Sequence, residues 1–132
     1  MKHLLLTTIA AVLLVSCGES QPPKPPTVKV PDISIHDAAK DGNIKAVKQH
    51  LTAGANVDMK DKHGRTSLLM AAWWDHKETA ELLIGAGADV NAMADNGATP
   101  LDLSIKLNLT EIADLLRKHG GKTGEELEAE GK

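Results

Sequence analysis

Gly64-Arg65-Thr66-Ser67-Leu68 returns 33 positions later as Gly97-Ala98-Thr99-Pro100-Leu101. Reading outward from these two words at the same offset, matches accumulate. Leu82-Leu83 fall on Leu115-Leu116 and Gly87 on Gly120. Upstream, Ala38-Ala39 fall on Ala71-Ala72, and Gly54-Ala55 on Gly87-Ala88. A fixed offset kept over three copies marks a repeat architecture, in which each unit buries its apolar face only against its neighbours.

The residues inside one copy specify two short helices. Thr99 can cap a helix that accepts Pro100 at its first position, where a missing N–H costs nothing. The pattern predicts a helix over 100–107, with Asn108 suited to a left-handed turn. A second helix over 110–118 carries Ile112, Leu115 and Leu116 at three- and four-residue spacing, and Gly120 suits its C-terminal cap. The middle copy repeats the plan, with helices over 67–74 and 77–84 and Gly87 after them. Helices this short are marginal alone, so the copies must stack to form a continuous core. The expected fold class is all-α, a solenoid of about three stacked helix-turn-helix repeats joined by short hairpin loops.

These words resemble the ankyrin repeat. The two quoted stretches look like the family's G-x-T-P-L opening. Gly54-Ala55-Asn56-Val57-Asp58 and Gly87-Ala88-Asp89-Val90-Asn91 look like its G-A-D-V-N closing turn. The resemblance covers about residues 33–121 and gives repeats of about 32–60, 61–93 and 94–121 within a domain over 32–121. The departures are local. The family's His after T-P-L is replaced by Leu69 and Asp102, while His36 holds that place in the first copy; this removes a hydrogen-bonded brace between copies. Asp75 stands where a turn Gly is expected, and Ser104-Ile105 replace Ala-Ala in the last copy. His76 matches the family's structural His at the start of the second helix. Residues 122–132 form a Glu-rich polar C-terminal tail, expected to fray or to hold at most a short terminal helix.

The N-terminal region reads as address and tether. Residues 4–15 are an apolar run too short to span about 30 Å of hydrocarbon, so 1–16 read as a signal peptide. Leu14-Val15-Ser16-Cys17 resembles the lipobox of bacterial lipoproteins, which implies cleavage before Cys17 and acylation of its thiol. More than one acyl chain gives a stable membrane anchor. Gly18 in second place implies an outer-membrane, periplasm-facing position in the bacterial cell envelope. Residues 17–31 hold every proline except Pro100 and read as an extended spacer.

Composition narrows the function classes. The chain has 132 residues, a formal net charge of −3, one Cys, two Trp, and neither Phe nor Tyr. That charge provides no footprint for nucleic acid. One Cys excludes an internal disulfide framework. Beyond the leader, His36, His50, His63, His76 and His119 lack the i, i+4 spacing of a helical two-His metal site. Gly121-Lys122-Thr123 matches only the end of a phosphate-binding loop, because Leu116 stands where its first Gly is required. No cofactor, metal, catalytic group or small-molecule substrate is expected, and the chain reads as a binding module rather than an enzyme.

The ankyrin resemblance implies target contact through hairpin tips and the exposed ends of the first helices. Carried over residue by residue, those positions are Lys62, His63 and Arg65, then Trp73 and Trp74, then Asp95, Asn96 and Ala98. Lys40 and Asp41 are the first copy's counterparts of the Trp pair. Paired aromatics at such positions suit a binding hot spot, the alternative being that one Trp only covers a neighbour. The expected function is membrane-tethered protein–protein interaction at the envelope with an unidentified protein partner. The second reading is a structural or antidote-like accessory that protects a secreted partner.

Overall fold

The computed structural model describes residues 29–131. The segment read as a signal peptide, Cys17 and most of the segment read as a spacer lie outside the described residues. Among those described there are seven helices and no strand. They are α1 (Ile35–Lys40), α2 (Ile44–Thr52), α3 (Ser67–Trp73), α4 (Lys77–Gly85), α5 (Pro100–Lys106), α6 (Thr110–Lys118) and α7 (Gly124–Ala129). Helices α1, α3 and α5 pack side by side as one layer, and α2, α4 and α6 as a second. This is the ankyrin-repeat solenoid.

The helix ends follow from the cap residues. Thr66 and Thr99 adopt extended backbone and accept the N–H of Leu69 and Asp102 respectively. In the first copy Ile33 occupies that register and has no side-chain oxygen to offer. Ser34 caps instead, accepting from Asp37 N–H, so α1 starts one register position later and is one residue shorter. At the other end, Gly42, Asp75 and Asn108 take φ of 67°, 60° and 58°. Each is followed by the same bond back into the helix: Asn43 N–H to Ala38, His76 N–H to Ala71, Leu109 N–H to Ser104. This six-residue closure is the Schellman pattern. It ends α3 and α5 one residue before the expected boundary, with Trp74 and Leu107 as C-caps. Asp75 does adopt the left-handed conformation that a Gly would hold with less strain.

The core is built from small and aliphatic residues. Ala38, Ala39, Ala71, Ala72 and Ala80 are fully buried, which lets the helices approach closely around Val47, Leu68, Leu83, Leu101, Ile112 and Leu116. Without Phe or Tyr, this small-residue interdigitation supplies the packing density.

Polar bridges brace the first copy internally and join the copies to one another. His36 Nε2 donates to the Met59 carbonyl at 2.7 Å, His50 Nε2 to Ile33 at 2.7 Å, and His76 Nε2 to Lys40 at 2.8 Å. Asp58 accepts Asp89 N–H at 2.8 Å, and Asn91, one repeat later, accepts Lys122 N–H at 2.7 Å. Lys77 of α4 pairs with Glu111 of α6 at 3.0 Å, crossing between copies rather than only serving its own helix. The Glu111 carboxylate raises the Lys77 pKa above its ordinary value. The missing His at position 102 is replaced in function: Asp102 Oδ2 accepts Gly124 N–H at 2.9 Å.

The tail is docked rather than frayed. Thr123 and Glu126 form a reciprocal capping box at the start of α7, and Leu127 is buried. Arg117 of α6 grips both Glu126 oxygens, at 2.8 and 3.0 Å. The Thr99 hydroxyl donates to the Lys122 carbonyl at 2.8 Å. Helix α7 thus covers the hairpin end of the last copy, the role solenoids assign to a terminal cap.

Candidate interaction surface

Two hairpin loops project beyond the helices. In the first, Asp61 N–H donates to the Arg65 carbonyl at 2.9 Å, and Asp61 Oδ1 accepts the N–H of His63 and of Arg65, both at 2.9 Å. The Arg65 guanidinium closes on Asp61 Oδ2, with Nε at 2.8 Å and the nearer terminal nitrogen at 2.7 Å. Burial pushes the Asp61 carboxyl up, but the Arg65 side chain and the two backbone N–H groups outweigh it and hold the group well below the usual range. The second loop repeats the backbone pattern with Ala94 N–H to Ala98 at 3.0 Å, but has Ala94 and Ala98 where the first has Asp61 and Arg65. The loops are joined: Asp95 N–H donates to the His63 carbonyl at 3.2 Å. Gly64 allows that approach, since a Cβ there would meet Asp95 at 2.9 Å or less.

Between these loops and the first helices lies a groove of about 350 Å³. His63 and Arg65 line it from one loop, Ala94, Asp95, Asn96 and Ala98 from the other, and Leu69, Trp73 and Leu103 from α3 and α5. Trp73 is 45% exposed and Leu69 only 1%, so an apolar floor meets a half-exposed aromatic wall. Polar groups stand at the rim. This is the composition of a recognition pocket, apolar with a few positioned polar groups, and its volume suits one or two side chains of a bound segment.

Of the positions anticipated for contact, the structure brings together His63, Arg65, Trp73, Asp95, Asn96 and Ala98. Lys62 is exposed on the first loop but does not line the groove. Trp74 is 51% exposed and turns elsewhere, with Lys40 Nζ 5.4 Å from its ring centroid. Such a cation–π contact at an exposed site contributes about 0.5–1 kcal/mol. Asp41 is an exposed C-cap of α1 outside the groove. The floor residues Leu69, Leu103 and Ala94 were not among the expected positions. A signal existed at Leu69, where an apolar residue replaces the family's His. Its effect is to remove a polar group from the floor as well as a brace from the junction. Among the described residues no group of His, Cys, Asp and Glu is placed to hold a metal ion.

Comparison with known proteins agrees with this architecture. The ankyrin-repeat family model matches residues 35–126 as three copies. An ankyrin repeat-containing protein of Schizosaccharomyces pombe is 30% identical over 68% of this chain and 42% of its own length. Human protein phosphatase 1 regulatory subunit 27 is 33% identical over 64% of this chain and 54% of its own. Human neurogenic locus notch homolog protein 4 is 33% identical over 71% of this chain and 5% of its own. The chain thus spans about half or less of the length of these relatives. Three stacked copies with the family's caps, closing turns and small-residue core place this chain in the ankyrin-repeat family, whose members generally serve as protein-interaction scaffolds.

Proposed function

We propose that this chain is a protein-recognition module whose contact surface is the groove between the second and third copies, held at the bacterial cell envelope by lipid on Cys17. The observation that carries the first half is the half-exposed Trp73 standing over the buried Leu69 and beside Leu103. Aromatic anchors in such sites dominate binding energy, often by about 2 kcal/mol or more on truncation. Family membership supports interaction as the activity, and one relative is itself named as a regulatory subunit. Fold alone names no target. The Leu14-Val15-Ser16-Cys17 pattern supports the anchor, and Gly18 supports an outer-membrane, periplasm-facing position.

The two halves are tested separately. Peptides selected from a displayed random library on the immobilised protein should lose at least about 30-fold in affinity on Trp73→Ala, the equivalent of about 2 kcal/mol. The variant should keep the helical circular dichroism of the parent. Selected peptides that bind parent and Trp73→Ala equally would remove the groove from the proposal. For the anchor, the full chain expressed with its own leader in a lipoprotein-processing bacterium is fractionated beside Cys17→Ala. Membrane association and added lipid mass should both vanish in the variant; equal solubility and unmodified mass in the two would end the lipoprotein reading.

A further inference from the structure

At the end of the array opposite α7, the first copy exposes a surface of different chemistry. Helix α2 presents Lys45 and Lys48 to solvent and contains no acidic residue. With Ile44, Gln49 and Thr52 they line a shallow concavity. The segment leading into α1 lies against the same helix, because His50 of α2 bonds the Ile33 carbonyl. That segment exposes Lys29, Val30 and Ile33, the two apolar residues at 50% and 38%. Asp32 is the one carboxylate among residues 29–34. Among the described residues, Lys45 and Lys48 have no ion-pair partner.

This edge is not made to receive another repeat. Gln49 holds the register of Leu82 and Leu115, both of which pack against the core, so stacking a further copy here would cover a polar side chain. Charge is also graded along the solenoid. Residues 29–60 contain five lysines against four aspartates, whereas residues 94–131 contain four basic against eight acidic side chains. Exposed lysines interleaved with exposed aliphatic side chains are what an anionic bilayer surface attracts, through charge and shallow apolar contact together.

We propose that the edge formed by Lys29, Val30, Ile33, Lys45 and Lys48 rests on anionic phospholipid headgroups. The acidic α7 end is then turned toward the aqueous side. The groove, lined only by residues from 63 to 103, stays open to its partner. The inference rests on the lipid tether at Cys17, because the spacer enters the described domain at Lys29, on this same edge. Residues 17–28 are twelve in number, and twelve residues in any conformation span at most about 40 Å, so such a tether keeps the domain close to the bilayer. Each lysine near the surface contributes about fivefold to the docking equilibrium constant.

The test uses the full chain expressed with its own leader, purified, and checked for lipid by intact mass. Thr52→Cys carries an environment-sensitive dye at the edge, and Glu128→Cys, on α7, serves as the control position. The protein is reconstituted into vesicles of phosphatidylcholine alone or mixed with phosphatidylglycerol. The dye at position 52 should report an apolar environment on the anionic vesicles only, and the dye at 128 on neither. Lys45→Gln with Lys48→Gln should lower the docking equilibrium constant about 25-fold, and salt near 1 M, where the Debye length falls to about 3 Å, should abolish docking. The same response at position 52 on both vesicle types, or with both lysines replaced, overturns the proposal. So does a response that follows protein concentration without vesicles, which would assign the edge to a second copy. If the mass shows no lipid, the tether fails on its own, and the chain labelled in a Cys17→Ser background is titrated with both vesicle types. Anionic preference lost with the lysines then upholds the edge, and equal binding refutes it.

Discussion

Ser67→Pro should stabilise this protein, and the structure allows the size to be worked out. The Ser67 hydroxyl is fully buried and has no hydrogen-bond partner. An unsatisfied buried hydroxyl costs about 1–3 kcal/mol. Ser67 is the first residue of α3, where the backbone N–H has no intrahelical acceptor, so proline removes no bond. The preceding Thr66 already has φ −88° and ψ 166°, the extended backbone that a following proline requires. The third copy shows the outcome in place: Pro100 sits buried at the equivalent position, behind Thr99 at φ −92° and ψ 165°. Proline also lowers unfolded-chain entropy, by about 0.4–1 kcal/mol. The expected gain is about 2 kcal/mol, which for a domain of this size raises Tm by roughly 8 °C or more. Thermal unfolding followed by far-UV circular dichroism measures it, with Pro100→Ser as the reciprocal variant that should lose stability. An unchanged or lowered Tm for Ser67→Pro would refute the reasoning, because the hydroxyl would then have to be satisfied.

Other consequences follow from single contacts. Gly64 and Gly97 both hold positive φ, at 69° and 78°, but only at Gly64 would a Cβ strike a neighbour. Gly97→Ala should therefore cost about 1–2 kcal/mol for the left-handed backbone, and Gly64→Ala distinctly more; urea unfolding that ranked them equally would contradict the loop-to-loop approach. Acid should loosen α7. The Arg117 side chain, then the Thr123 N–H, hold the Glu126 carboxyl at about 2 against its ordinary 4.5. A depressed folded-state pKa contributes stability above the unfolded value, and that contribution is lost as pH falls from about 4.5 to about 2. Amide protection factors in α7, corrected for the intrinsic pH dependence of exchange, should fall across that window, and Glu126→Gln should remove most of that fall.

Much of this fold is legible because its signals are local. Thr before a helix, Pro at its first position and Gly after its end each act through one or two backbone groups, so a repeat of 33 residues fixes the element order. The departures are readable one at a time as well. Ile33 in place of a threonine forces Ser34 to cap α1, and Gln49 in place of a leucine marks an edge. The docking of α7 was also written in the chain, as the Thr123–Glu126 capping spacing followed by Leu127. Its Glu-rich surroundings suggest fraying, because the compensating Arg117 lies nine residues earlier on another helix.

The groove is harder to read, since its floor depends on which residues of different copies converge. Leu69 and Leu103 have different registers within their copies, and neither carries a binding motif. Their role emerges when the polar bridges are followed along the array. In the first copy His36 reaches the Met59 carbonyl, and in the third Asp102 receives Gly124 N–H. The middle copy has Leu69 in that register, and no such polar bridge can form from it. The second and third copies are held instead by Lys77 to Glu111 and the loop bond from Asp95 to His63. The one copy that gives up this register's hydrogen bond is the one whose Trp73 stands half exposed over an apolar floor. A local rule of the repeat is broken there while its losses are covered elsewhere, which is the pattern expected of the proposed contact surface.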